Sequence, residues 1–194
     1  MQVATDAEVL KWLNDVEWND GIKADGTTLY YTESGANCIE LKYPETPLRT
    51  TYLARVASML GIDDESHFYG ALLWITLSTI GSIGLEKAGW KLVEKMRQGY
   101  GENRSLQNAS GHFFRSDELV DLNAFLVPCF VFGWDAYVVP SSSNNFFVHL
   151  SHDEYWGVVA RTPEAYGRLF SQLKDLNPIE SPHMRKRFCR PAIL

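Results

Sequence analysis

The 194 residues carry 24 acidic and 18 basic side chains, a net charge of −6, with 45% hydrophobic and 22% charged content. This is the balance of a folded chain, long enough to bury roughly 70% of the surface its unfolded form exposes, and it excludes a disordered body. An acidic chain also disfavours nucleic-acid partners, because phosphate neutralisation needs a basic surface.

The charge is uneven. Between Asn177 and Leu194 four basic residues stand against one acid, so that segment carries +3 and the remainder −9. Cys38, Cys129 and Cys189 form no CxxC pair, which removes the usual zinc and thioredoxin-like patterns. Cys38 and Cys129 lie in apolar runs and read as small buried hydrophobes, whereas Cys189 has arginine neighbours that would lower a thiol pKa. The first fifteen residues have no basic and apolar leader pattern, and the most apolar run, Phe68–Ile80, is too short to span a bilayer. The expected location is cytoplasmic, with no membrane association.

In chain order, Thr5 and Glu8 form a capping box that predicts a helix from about Asp6 to Val16. TTLYYTE and NCIELKY flank Ser34-Gly35-Ala36 and read as a hairpin. A helix is expected from Arg49, with Tyr52, Leu53, Val56, Met59 and Leu60 on one face and Gly61 at its end. Phe68–Ile80, apolar on every side, reads as a buried core helix. Leu85, Ala88, Gly89, Leu92, Val93 and Met96 give a further helical stripe. Gly99 to Ser116 reads as a long polar loop and Asp117 to Phe125 as a short helix ended by Pro128.

Beyond Pro128, Phe130, Phe132, Trp134, Ala136 and Val138 alternate as one face of a strand, followed by the strands FFVHLS and YWGVVA. Thr162-Pro163-Glu164 starts a helix that buries Tyr166, Leu169, Phe170 and Leu173. From Asn177 the prolines predict an extended or mobile tail. Strand runs are segregated from helix runs, which predicts an α+β fold: one compact domain over residues 1–176, with mostly antiparallel sheet and a central group of helices, then a basic tail over 177–194.

Reactive groups concentrate in His149-Leu150-Ser151-His152-Asp153-Glu154. Imidazoles and carboxylates can ligate a metal or exchange protons, but strand residues three apart point to opposite faces, and a hairpin turn accounts for all four polar residues after Leu150. Asp135 interrupts an apolar strand. If it paired opposite His149, a carboxylate would orient an imidazole across the hairpin. Catalytic candidates are therefore Asp135, His149, His152 and Asp153.

The aromatics Trp134, Tyr137, Phe147, Tyr155 and Trp156 crowd the same strands and are candidates for a partner-binding sheet face. No GxGxxG or GxxxxGK loop is present, so the pattern calls for no nucleotide cofactor, and no metal is assigned. The preferred reading is a non-enzymatic, regulatory or immunity-type domain that binds a protein, with a homodimer over the sheet as a further arrangement. The alternative is a hydrolase, with or without a metal, that uses the Asp135, His149, His152 and Asp153 cluster.

Overall fold

A computed structural model describes residues 1–15, 22–25, 28–32, 36–42, 70–76, 85–141, 145–153 and 155–189. Ten strands are present among them: β1 (Gln2–Ala4), β2 (Ile22–Asp25), β3 (Thr28–Tyr31), β4 (Asn37–Lys42), β5 (Ala71–Ile75), β6 (Gly111–Phe114), β7 (Ala136–Pro140), β8 (Phe146–Leu150), β9 (Tyr155–Ala160) and β10 (Ile179–Glu180). The helices are α1 (Asp6–Asp15), α2 (Leu85–Gln98), α3 (Leu119–Phe132), α4 (Pro163–Gln172) and α5 (Pro182–Phe188). Eight strands make one antiparallel sheet in the order β1-β6-β5-β7-β8-β9-β4-β10, and β2 with β3 forms a separate ribbon. The fold is a single α+β domain in three layers.

Alternation along the strands sorts the core into two faces. Leu73, Val138, Val148 and Val158 pack under α2, α3 and α4. Leu72, Tyr137, Phe147 and Val159 pack under α1, the β2–β3 ribbon and α5. Because both faces are covered, the central strands are near-continuous apolar runs interrupted by His149 of β8, and all five residues of β5 are buried. This corrects the expected core helix at Phe68–Ile80: its described part is the strand β5.

The opposite correction applies after Asp117. The expected strand through Phe130 and Phe132 is instead the second half of α3, which runs through Pro128. Proline removes one N–H, but burial of Leu122, Phe125, Leu126, Cys129 and Phe130 holds the helix. The helix ends at Gly133, where φ is 61° and the N–H donates to the Cys129 carbonyl.

Three further expectations change. β3 pairs with β2, and β4 lies between β9 and β10, so the two runs expected as a hairpin go to different sheets. The expected loop from Gly99 contains β6, which pairs with β1 and β5. The segment expected as an extended tail forms β10 and α5, with Met184 and Phe188 buried. Ser181 caps α5 by accepting the Met184 N–H at 3.3 Å. The expected helix from Arg49 to Gly61 lies outside the described residues.

The capping box holds: the Thr5 N–H donates to Glu8 at 2.7 Å and the Glu8 N–H to Thr5 Oγ1 at 3.2 Å. Thr162 Oγ1 likewise accepts the Ala165 N–H at 3.2 Å at the start of α4. Two sheet glycines let the second layer approach. A Cβ at Gly157 would fall 1.8 Å from Met184 Cε of α5, and one at Gly111 would fall 2.3 Å from Val9 Cγ2 of α1.

Candidate functional site

The β7–β8–β9 meander fixes where the polar candidates go. Tyr137 pairs with His149, and Ala136 with Leu150. Asp135 is therefore two positions out of register with His149, which corrects the pairing of 135 opposite 149. Its partner is His152, in the turn between β8 and β9.

The Asp135 carboxylate lies 3.0 and 2.9 Å from His152 Nδ1 and accepts the His152 backbone N–H at 3.0 Å. On the far side of the ring, Nε2 lies 3.4 Å from Asp153 Oδ1. The Asp153 N–H donates to Ser151 Oγ at 3.2 Å, and the Ser151 N–H donates to the Tyr155 carbonyl at 2.9 Å, closing the turn. The hydrogen bond to Asp135 raises the His152 pKa, assisted by the charges of Asp135 and Asp153. Both ring nitrogens thus face carboxylates. The arrangement favours an imidazolium that ties the turn to β7, a different state from a general base, whose acceptor nitrogen must be open to substrate.

His149 belongs to another environment. Its ring is fully buried, 4.8 Å from that of Tyr137 and 4.9 Å from that of Phe188. Burial pushes its pKa down to about 3, with Arg187 adding to the effect, so it is neutral at pH 7. Among the described residues, neither of its ring nitrogens has a hydrogen-bond partner. Glu154 lies outside the described residues. Among those residues no group of three His, Cys, Asp or Glu is placed to hold a metal.

The aromatic candidates are interior. Trp134, Tyr137, Phe147 and Trp156 are buried, and Tyr155 is partly buried. Tyr137 and Phe147 sit under α5, 6.5 and 6.1 Å from the Phe188 ring. The sheet face expected to receive a partner is occupied by the chain's own α1, β2–β3 ribbon and α5.

A second interior polar cluster lies at the other end of the sheet. Arg97 and His112 are fully buried between α2 and β6. Burial, with Arg97 nearby, pushes the His112 pKa down to about 3. The cavity of about 270 Å³ at the start of α4, lined by Asn145, Thr162, Glu164, Ala165 and Arg168, contains none of the candidate residues.

The feature that the sequence reading missed is the outer side of α3. Val120 is 78% exposed, Val127 41% and Val131 53%, and Ala124 between them is also exposed. These four recur at intervals of four, three and four residues, on the side of α3 away from the sheet. The α3 neighbour α2 runs antiparallel to it: Gly89 sits against the Phe132 ring, and Tyr100 past the end of α2 sits 6.4 Å from Phe125. Leu92 of α2 is 49% exposed, and Lys91 and Lys95 share its outward side. The spacing was present in LVDLNAFLVPCFVF, but ending the helix at Pro128 concealed it.

Among the described residues, no helix is long and apolar enough to cross a membrane. Comparison of the chain with protein-family models, with curated proteins and with solved structures finds no match.

Proposed function

We propose that this chain is a non-enzymatic intracellular docking domain that holds an amphipathic helix of a partner protein along the outer side of α3. The observation that carries this reading is the seam of Val120, Ala124, Val127 and Val131. A four-three-four spacing is the one by which two helices pack at a shallow crossing angle. Scattered exposed apolar residues are ordinary on a protein surface, but a whole outward helix side without a charge marks a contact surface. The occupant is an acidic helix, because Lys91 and Lys95 are exposed on the outward side of α2 beside Leu92. A regulator or an immunity protein would act through such a surface by occupancy alone.

The test uses two synthetic helical peptides with leucine at the seam positions, one flanked by glutamate and the other by lysine, titrated against the full chain by fluorescence anisotropy. The acidic peptide is expected to bind at least about 10-fold more tightly, a difference of ~1.4 kcal/mol. The double variant Val120→Glu/Val127→Glu is expected to abolish binding. Equal binding of both peptides, or binding that survives the double variant, overturns the reading.

A hydrolase using Asp135, His149, His152 and Asp153 is the second reading. One observation favours it: Asp135 orients the His152 ring while the side chain stays 46% exposed. Ester or phosphoester hydrolysis abolished by His152→Ala, with the fold intact, would establish it. The carboxylates on both ring nitrogens weigh against it.

A further inference from the structure

We infer that Cys38 and Cys189 are a dithiol site that closes to a disulfide by exchange with a small disulfide such as oxidised glutathione, locking α5 onto the sheet. The two sulfurs lie 3.4 Å apart although 151 positions separate them in the chain. Cys38 is buried in β4, while Cys189 is partly exposed, one residue past α5, and bridges in parallel to Tyr31 of β3. Cys38 therefore stands on the sheet and Cys189 at the end of the helix that covers it. The gap to a bonded pair, ~2.05 Å, is about 1.4 Å, within reach of small side-chain rotations.

The two thiols are unequal. The Cys189 pKa is lowered by the hydrogen bond with Cys38 and by Arg185, and that of Cys38 is raised by the same hydrogen bond and by burial. Cys189 is thus both the more exposed sulfur and the better thiolate. Its thiolate attacks one sulfur of the glutathione disulfide, forming a mixed disulfide and releasing one glutathione thiolate. Cys38 then attacks Cys189 Sγ, loses its proton, and releases the second glutathione. The two protein thiols are oxidised, one glutathione disulfide is reduced to two thiols, and the two protons end on the released glutathiones.

Closure fastens the helix that covers His149, Tyr137 and Phe147, since Phe188 lies directly before Cys189. Cys129, fully buried in α3, provides an internal control.

The experiment is incubation of the reduced full-length chain with excess oxidised glutathione, followed by intact mass, thiol titration and a non-reducing peptide map. The expected product is lighter by about 2 Da and keeps one titratable thiol. Its bond maps to Cys38–Cys189, and it melts roughly 5–10 °C above the reduced form. Cys129→Ser should form the same Cys38–Cys189 bond and keep no titratable thiol, and Cys189→Ser should form no internal bond. Three surviving thiols, a reaction that stops at a glutathione adduct on Cys189, or a bond that maps to Cys129 would each overturn the inference.

Discussion

The two faces of the sheet are covered by different means. One face lies under α2, α3 and α4, of 14, 14 and 10 residues, whose buried side chains form a nearly all-apolar layer. The other lies under a patchwork of α1, a two-stranded ribbon and the seven-residue α5. Long helices cover a sheet by apolar area alone, and their outward sides are left to meet solvent or partners. The patchwork includes a ribbon of two four-residue strands and a seven-residue helix and relies more on individual contacts. Gly157 makes room for Met184, Cys189 touches Cys38, and Trp74 Nε1 donates to Asp6 of α1 at 2.8 Å. On this reading the helical face supplies the contact surface, and the patchwork face carries the thiol contact that responds to oxidation.

Acid should break both faces, with the largest effect. His112 lies under the helical face and His149 under the patchwork, and each folded-state pKa falls to about 3. A depressed histidine pKa means that the unfolded chain takes up protons first as pH drops below about 6.5, so stability is present above that pH and lost below it. Between pH 7 and 4 each histidine should cost about 3 kcal/mol, measured by urea unfolding across pH. His149→Phe should remove about half of that dependence. His152 acts in the opposite sense. Its raised pKa stabilises the fold below about pH 6.5, and that contribution is lost as pH rises through the raised value. Being half exposed, it is worth well under about 1 kcal/mol.

Core truncation should separate the faces next. Leu126→Ala under the helical face and Phe188→Ala under the patchwork should each cost about 2–5 kcal/mol. Native-state hydrogen exchange should then distinguish them. The Leu126 variant should lower protection everywhere, whereas the Phe188 variant should release α5 while the central strands stay protected.

Gly157→Ala should cost about 1–3 kcal/mol, because Met184 is fully buried and must shift to admit a methyl group. Its effect should be smaller in a Met184→Ala background. The smallest effect belongs to the outer side of α3. Val120→Glu and Val127→Glu should each change stability by no more than about 0.5 kcal/mol in thermal melts, since these side chains face outward.

Local signals were the legible part of the sequence. Thr5 with Glu8, and Thr162 with Pro163, placed the starts of α1 and α4, because a capping residue satisfies backbone donors within its own turn. The three strands of the β7–β8–β9 meander were legible as short β-rich runs between turns, although the first was expected to begin too early, before Phe130. Two elements exchanged identity. Ala71–Ile75 and the second half of Leu119–Phe132 are both apolar nearly all round, so neither carries a period. One is a strand buried on both faces; the other is a helix whose outward side is apolar as well.

Long-range placement left no local mark: nothing within NCIELKY indicates that it runs between YWGVVA and Ile179–Glu180. Of the candidate site, the bend at His152 and Asp153 was legible. The contact of Asp135 with His152 was not, since it depends on a register shifted by two residues. Ser181-Pro182, with Met184 and Phe188 four apart, carried a helix signal that the surrounding prolines and basic charge obscured.

The most direct measurement of the central claim is photo-crosslinking in the native host, with a benzophenone side chain at Val120 or Val127 and a control at exposed Lys174. The account predicts one shared protein adduct from the two α3 positions and none from Lys174. Crosslinks only to a second copy of the chain, or equal adducts from Lys174, would contradict it.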